Sequence, residues 1–162
     1  MKFYLGCGAV LRQGDKFILV QETRLPKKGF YNLPAGTLEI SEDIPACLIR
    51  EVKEETGITI LPDSFTGVYQ CVLGSGHNIV LFIFAATIEK GATFYSEEHT
   101  TIEALSYEEI VAYDAAGKLR SPLVRKSIED YRNGQRLPIS SVQAWHLNDL
   151  PTIRVPHRQL TP

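Results

Sequence analysis

The sequence predicts an α/β fold. Apolar runs of strand length flank a helical segment near residue 50, and two further capped helical segments follow the last of those runs. The near-continuous apolar run Ile79 to Thr87 adds a strand buried on both faces, as a sheet covered by helices requires.

The chain has 162 residues, enough for one domain with a sizeable core. A hydrophobic share of 44% and a charged share of 22% are those of an ordinary globular protein. The net charge of -2 gives no general attraction to nucleic acid or to an anionic membrane. Cys7, Cys47 and Cys71 are odd in number and contain no CxxC pair, which argues for a reducing compartment and against a disulfide framework. Cys47 is read as a small buried helix residue, although it lies on or beside the acidic face described below. Lys2 is followed by a short mixed run broken by Gly6, Gly8 and Arg12, so no signal peptide is expected. The longest apolar run, Ile79 to Ile88, is about half a membrane span. A cytoplasmic protein with no membrane partner is the expectation.

In chain order, Phe3 to Leu11 and Lys16 to Gln21 read as a strand pair joined at Gln13-Gly14-Asp15. Glu22 to Gly29 is a polar loop carrying Arg24, Lys27 and Lys28. It is either a solvated surface loop or a cationic rim for phosphates. Phe30 to Gly36 is a short extended approach to the helix, and Gly36 with the loop after it can turn sharply. Ser41 or Asp43 can cap that helix, Pro45 is tolerable in its first turn, and Gly57 ends it in the left-handed conformation. Ile58 to Leu61 and Phe65 to Leu73 read as extended, with Val68, Gln70 and Val72 alternating against Tyr69, Cys71 and Leu73. His77 reads as an exposed turn residue. Glu89 to Thr100 is a polar loop, and Ile102 to Leu105 a short strand. Ser106-x-x-Glu109 is a capping box opening a helix that Gly117 stops. Ser121-Pro122 opens another, with apolar residues at 123, 124, 128 and 131, closed by Asn133-Gly134. From Leu137 the chain carries several prolines and no period. Trp145, the single tryptophan, argues that part of this tail packs.

The chemistry concentrates in the first helix. Glu51, Glu54 and Glu55 are i, i+3 and i+4, so their side chains leave one face. Leu48, Ile49, Val52 and Thr56 fall on the adjoining sector and can pack. At about 6 Å and an effective dielectric of about 20, each carboxylate pair repels by about 2–3 kcal/mol. Arg50 relieves only part of that. A divalent cation could remove the rest, and an all-oxygen donor set suits Mg²⁺ or Mn²⁺. Three such residues alone would equally suit an ordinary solvated acidic face.

The flanks decide between these. Gly36, five residues, Glu42, seven residues, then Arg50-Glu51-Val52-Lys53-Glu54-Glu55-Thr56-Gly57-Ile58 resembles the Nudix box of the Nudix hydrolase superfamily, with every fixed position filled. The resemblance implies an α/β/α sandwich with a mixed β-sheet between helices, and an enzyme that hydrolyses phosphoanhydrides of a small-molecule diphosphate substrate with Mg²⁺, Mn²⁺ being the alternative. It implies that Glu51, Glu54 and Glu55 bind the metal and that one of them takes the water proton. It makes Glu42 a supporting or outer ligand, Arg50 the residue that orients the carboxylates, and the carbonyl of Ala35 or Gly36 a further ligand. Some members use a glutamate in the loop before the last strand as base, and Glu98 sits at the matching distance, with Glu97 as the alternative. An aromatic commonly stands where Tyr31 stands, packed on the core or lining the pocket. Arg24, Lys27, Tyr31 and Arg120 are the candidate substrate contacts.

A second resemblance covers Leu119 to Val124, Ser127-Ile128, Tyr131, Gly134-Gln135-Arg136 and Pro138. This stretch is similar to the C-terminal helix of a bacterial phosphatase branch of the family. It implies action on nucleoside di- and triphosphates and on thiamine-type diphosphates, with Arg120 and Arg136 towards the phosphates and Tyr31 or Tyr69 as a stacking surface. Another nucleoside diphosphate derivative as substrate, or a Nudix-fold binding module without turnover, are the competing readings. The expected organisation is a single Nudix domain over 1–137 and a proline-containing tail over 138–162, as a monomer or homodimer.

Overall fold

The structure is a computed structural model that describes residues 3–72, 76–96 and 101–144. Its strands are β1 (Phe3–Gln13), β2 (Lys16–Gln21), β3 (Tyr31–Asn32), β4 (Ala35–Thr37), β5 (Ser64–Val72), β6 (Asn78–Thr87) and β7 (Ile102–Leu105). The helices are α1 (Ile44–Thr56), α2 (Tyr107–Ala115) and α3 (Pro122–Arg132), with a short 3-10 turn at Ile139–Ser141. All seven strands join one mixed sheet.

Strand β1 is its spine. It runs parallel to β6 from Phe3↔Asn78 to Arg12↔Thr87 and meets β2 only at the hairpin, Arg12↔Phe17 and Gln13↔Lys16. Beyond Arg12 the two strands part. β4 pairs with β1 at Gly6, Cys7 and Gly8, and β3 pairs with β2 at Val20 and Gln21. Residues 31–37 therefore fill the opening of the hairpin, and this wedge carries Gly36. The far edge of β2 is paired by β7, and β5 closes the other side of β6.

The period-2 alternation of strands sorts the core into two layers. Cys7, Ala9, Leu11 and Ile18 pack with Cys47, Leu48 and Val52 of α1. Val10, Phe17 and Leu19 pack with Ile110 of α2 and Val124, Ile128 and Tyr131 of α3. The α/β/α sandwich follows from that two-sided burial.

Local signals act largely as expected. Asp43, and not Ser41, caps α1, its carboxylate accepting from the Ala46 N–H at 2.8 Å. Gly57 ends the helix at φ 76°, with the Tyr95 carbonyl oxygen 2.6 Å from where a Cβ would stand. Ser106 and Glu109 form the reciprocal capping box of α2. Ser121 occupies the N-cap position of α3 without making a side-chain cap bond.

Three expectations are corrected. Ile58–Leu61 joins no strand: Ile60 turns into the α1-side core while Leu61 faces solvent. In β6 only Ile83–Ala86 is buried on both faces, because Ile79 and Leu81 line an open cleft. Gly36 is no sharp turn, since it sits inside β4 opposite Cys7. Glu97, Glu98, His99 and Trp145 lie outside the described residues.

Candidate active site

Arg50 organises the acidic face of α1. Its Nε and Nη2 donate to the two oxygens of Glu42, both at 2.9 Å, a bidentate charge-assisted pair. Nη1 donates to Glu51 at 2.8 Å and to Glu54 at 3.2 Å, and Nη2 also reaches the Thr37 carbonyl at 3.2 Å. The Arg50 bonds hold the Glu42 carboxyl below the usual carboxylate range. Glu51 goes the other way. Its side chain is 14% exposed, and that desolvation outweighs the pull of Arg50 and raises its pKa.

Glu51 lies directly over Gly36. A Cβ there would stand 1.9 Å from the Glu51 carboxyl carbon. One turn on, Glu55 is buried and accepts from the Ala35 N–H at 2.8 Å. Glu54 is half exposed. Beneath them Cys47 is fully buried, its sulfur 2.7 Å from that of Cys7. The Cys7 thiol is pushed far up by that contact and by burial, so it stays protonated.

The oxygen donors of Glu51, Glu54 and Glu55 and the carbonyls of the Ala35–Gly36 segment are the chemistry a hard divalent ion takes. Among the described residues no three acidic, histidine or cysteine groups converge closely enough to hold an ion as they stand. Glu51 and Glu54 accept from Arg50, and Glu55 accepts from the Ala35 N–H.

A cleft of about 680 Å³ opens on the α3 side of the sheet and reaches this cluster at Glu55 and Gly36. Arg24, Lys27 and Arg120 line it, as do Glu22 and Asn32. Ile79, Leu81 and Ile83 share one face of β6 and form its apolar wall with Leu123. Lys27 sits 5.1 Å over the Phe30 ring.

A profile of the NUDIX domain matches residues 2–126. The chain belongs to the Nudix family. It is 33% identical over 143 residues to Phosphatase NudJ of Escherichia coli strain K12, across 87% of this chain and 91% of that protein. A NUDIX hydrolase from Nitrosomonas europaea is 34% identical, with a TM-score of 0.78, covering 89% of this chain and 98% of its own. The MutT protein of Methanosarcina mazei is 26% identical, with a TM-score of 0.68, covering 82% and 96%. The chain is thus a Nudix hydrolase of phosphoanhydride substrates, a family that generally uses divalent metals.

Within this Nudix domain, several expected site residues stand elsewhere. Tyr31 is no cleft residue. It is buried against α2, its hydroxyl donating to Glu103 at 2.6 Å and its ring 5.1 Å from that of Tyr113. Tyr69 donates to Asp130 at 2.9 Å and packs under α3. Both rings pack with the α2/α3-side core, and the wall of the cleft is aliphatic. Arg136 stacks on Tyr131, 4.2 Å from its centroid, and not on the cleft. His77 is half-buried beside Tyr4. Glu22 and Asn32 line the cleft without having been expected there. The Val20-Gln21-Glu22-Thr23 strand end suits the phosphatase branch, but its sequence does not show that Glu22 faces the cleft, and Asn32 carries no signal beyond a polar side chain.

Proposed function

We propose that this Nudix hydrolase is a Mg²⁺-dependent phosphatase that releases orthophosphate from nucleoside di- and triphosphates and from thiamine-type diphosphates. One observation carries the reading: a single cleft is lined by Glu55 of the acidic face of α1, by Gly36 beneath Glu51, and by the cationic side chains Arg24, Lys27 and Arg120. The similarity to a protein named a phosphatase, over nearly the whole of both chains, supports the reaction class.

In this reading Glu51, Glu54, Glu55 and the Gly36 carbonyl hold the ion, with Glu42 behind them. The ion, when bound, supplies charge neutralisation at the phosphate oxygens and acidifies a water. The chain does the remainder. Arg50 keeps Glu42 and Glu51 in place, and the Ala35 N–H does the same for Glu55. The cationic rim offsets the charge of the incoming diphosphate. A glutamate takes the water proton as general base, from within the box or from Glu98. The aliphatic wall covers the attached heterocycle.

The test is a time course with a nucleoside triphosphate and Mg²⁺, and a parallel one with thiamine diphosphate. Sequential diphosphate and monophosphate with accumulating orthophosphate is expected. Direct monophosphate and pyrophosphate, with thiamine diphosphate untouched, would overturn the phosphatase assignment and leave the Nudix hydrolase standing.

A further inference from the structure

A carboxylate is unexpected on the wall of a cleft that takes polyanions. Glu22 stands there, just past the end of β2, with its side chain only 17% exposed. Its two oxygens are used unequally. Oε1 accepts from Arg120 Nη1 at 2.7 Å and from Asn32 Nδ2 at 3.1 Å. Oε2 makes no hydrogen bond to any described residue. A carboxylate offers about four acceptor positions, and those of Oε2 are open to the cleft. Arg120 is likewise half used: Nη1 is on Glu22, while Nε and Nη2 make no bond to a described residue.

The chemistry of the missing partner follows. A phosphate oxygen carries negative charge and only accepts, so it suits the free N–H groups of Arg120 and is repelled by Glu22 Oε2. The complement of Oε2 is a neutral donor on the non-phosphate part of the substrate. A sugar hydroxyl would serve for a nucleotide, but a thiamine-type diphosphate has no sugar. The donor that both proposed substrate classes share is an amino group on the heterocycle.

We propose that Glu22 determines specificity, its Oε2 accepting an N–H from an amino-bearing heterocycle attached to the diphosphate. Arg120 neutralises Glu22, so that an anionic substrate can lie beside it. Asn32 fixes the carboxylate so that Oε2 remains the open oxygen. The cleft then selects amino-substituted flat rings over rings of the same shape without the amino group, because only the former fill the acceptor. The inference rests on the phosphatase reading.

The test measures orthophosphate release from ADP and from purine riboside 5′-diphosphate, which differ only in the amino group. The wild-type protein should favour ADP by at least ~10-fold in kcat/KM, mainly through KM. Glu22→Gln should lower that ratio by at least ~5-fold, and Glu22→Asp, which draws the carboxylate back, should lower it in the same direction. Thermal melts of both variants establish that they fold, and the wild-type ratio stands even if neither does. Equal turnover of the two substrates by the wild type overturns the inference, and so does an unchanged ratio in a folded variant. In either case the phosphatase reading survives. Failure to release orthophosphate from either substrate overturns that reading and this inference with it.

Discussion

A methyl group at Gly36 would fall 1.9 Å from the carboxyl carbon of Glu51 and within 2.1 Å of both its oxygens. The glycine is therefore needed for close approach, at a position inside a strand where its backbone freedom is not used. Gly36→Ala should push aside the end of the Glu51 side chain and destabilise by about 1 kcal/mol, and by less when Glu51 is also replaced by Ala. Thermal melts of the two single variants and the double variant check this, and additive losses would contradict it. The spacing of Gly36 to Glu51 was readable in the sequence, but the contact was not, because only the fold of the wedge brings the two together. The carboxylates themselves can be separated by their surroundings. Glu54→Gln and Glu55→Gln should each lower kcat by at least ~100-fold, the scale seen when transition-state charge stabilisation is removed. Glu54 is half exposed, so its variant should melt within about 0.5 kcal/mol of the parent. Full turnover by both variants, or full activity in excess chelator, would end the metal-holding role.

At the scale of elements, helices were far more legible than strand partners. The caps at Asp43, Ser106 and Gly57 are local chemistry, readable within a few residues. The forked hairpin is not, since β3 and β4 are short and their pairing depends on where β1 and β2 part. Nor is the split of aromatic residues between core and cleft, which put Tyr31 and Tyr69 in the core. The junction of α2 and α3 gives a pH prediction. Glu129 of α3 accepts from the Tyr107 hydroxyl and pairs with Arg125 at 2.7 Å, and Arg125 reaches back to Asp114 of α2. The Tyr107 hydrogen bond first, and Arg125 second, lower the Glu129 pKa. A depressed folded-state pKa contributes stability that is full above the unfolded value of about 4.3 and is lost as pH falls through the folded one. The wild-type Tm should therefore fall between pH 5 and pH 3, and Glu129→Gln should fall less over the same interval. Equal falls at low salt would remove this junction as a source of acid sensitivity.

For the whole molecule, the open question is where the folded unit ends. The expected boundary at 137 rested on a change in composition, which reports the loss of helical and strand period but not the contacts of single side chains. The described chain stays on the sheet past that point. Leu137 exchanges backbone hydrogen bonds with Phe65 at 2.8 and 2.9 Å, covering the start of the outer strand β5. Ile139 and Val142 then pack against the cluster that holds Phe65 and Val52. We propose that the unit needed for full stability extends through Val142. Each of these two side chains is partly buried, so together they contribute about 2 kcal/mol at the usual coefficient for apolar area. Covering β5 also shields backbone groups that would otherwise pair with another chain. Truncation after Arg136 should therefore lower Tm by roughly 4–8 °C relative to truncation after Ala144, and should increase aggregation on heating. The comparison between the two truncations isolates residues 137–144 from everything after them. Equal Tm values for both would place the boundary at 137 and make the contacts of Leu137, Ile139 and Val142 energetically neutral.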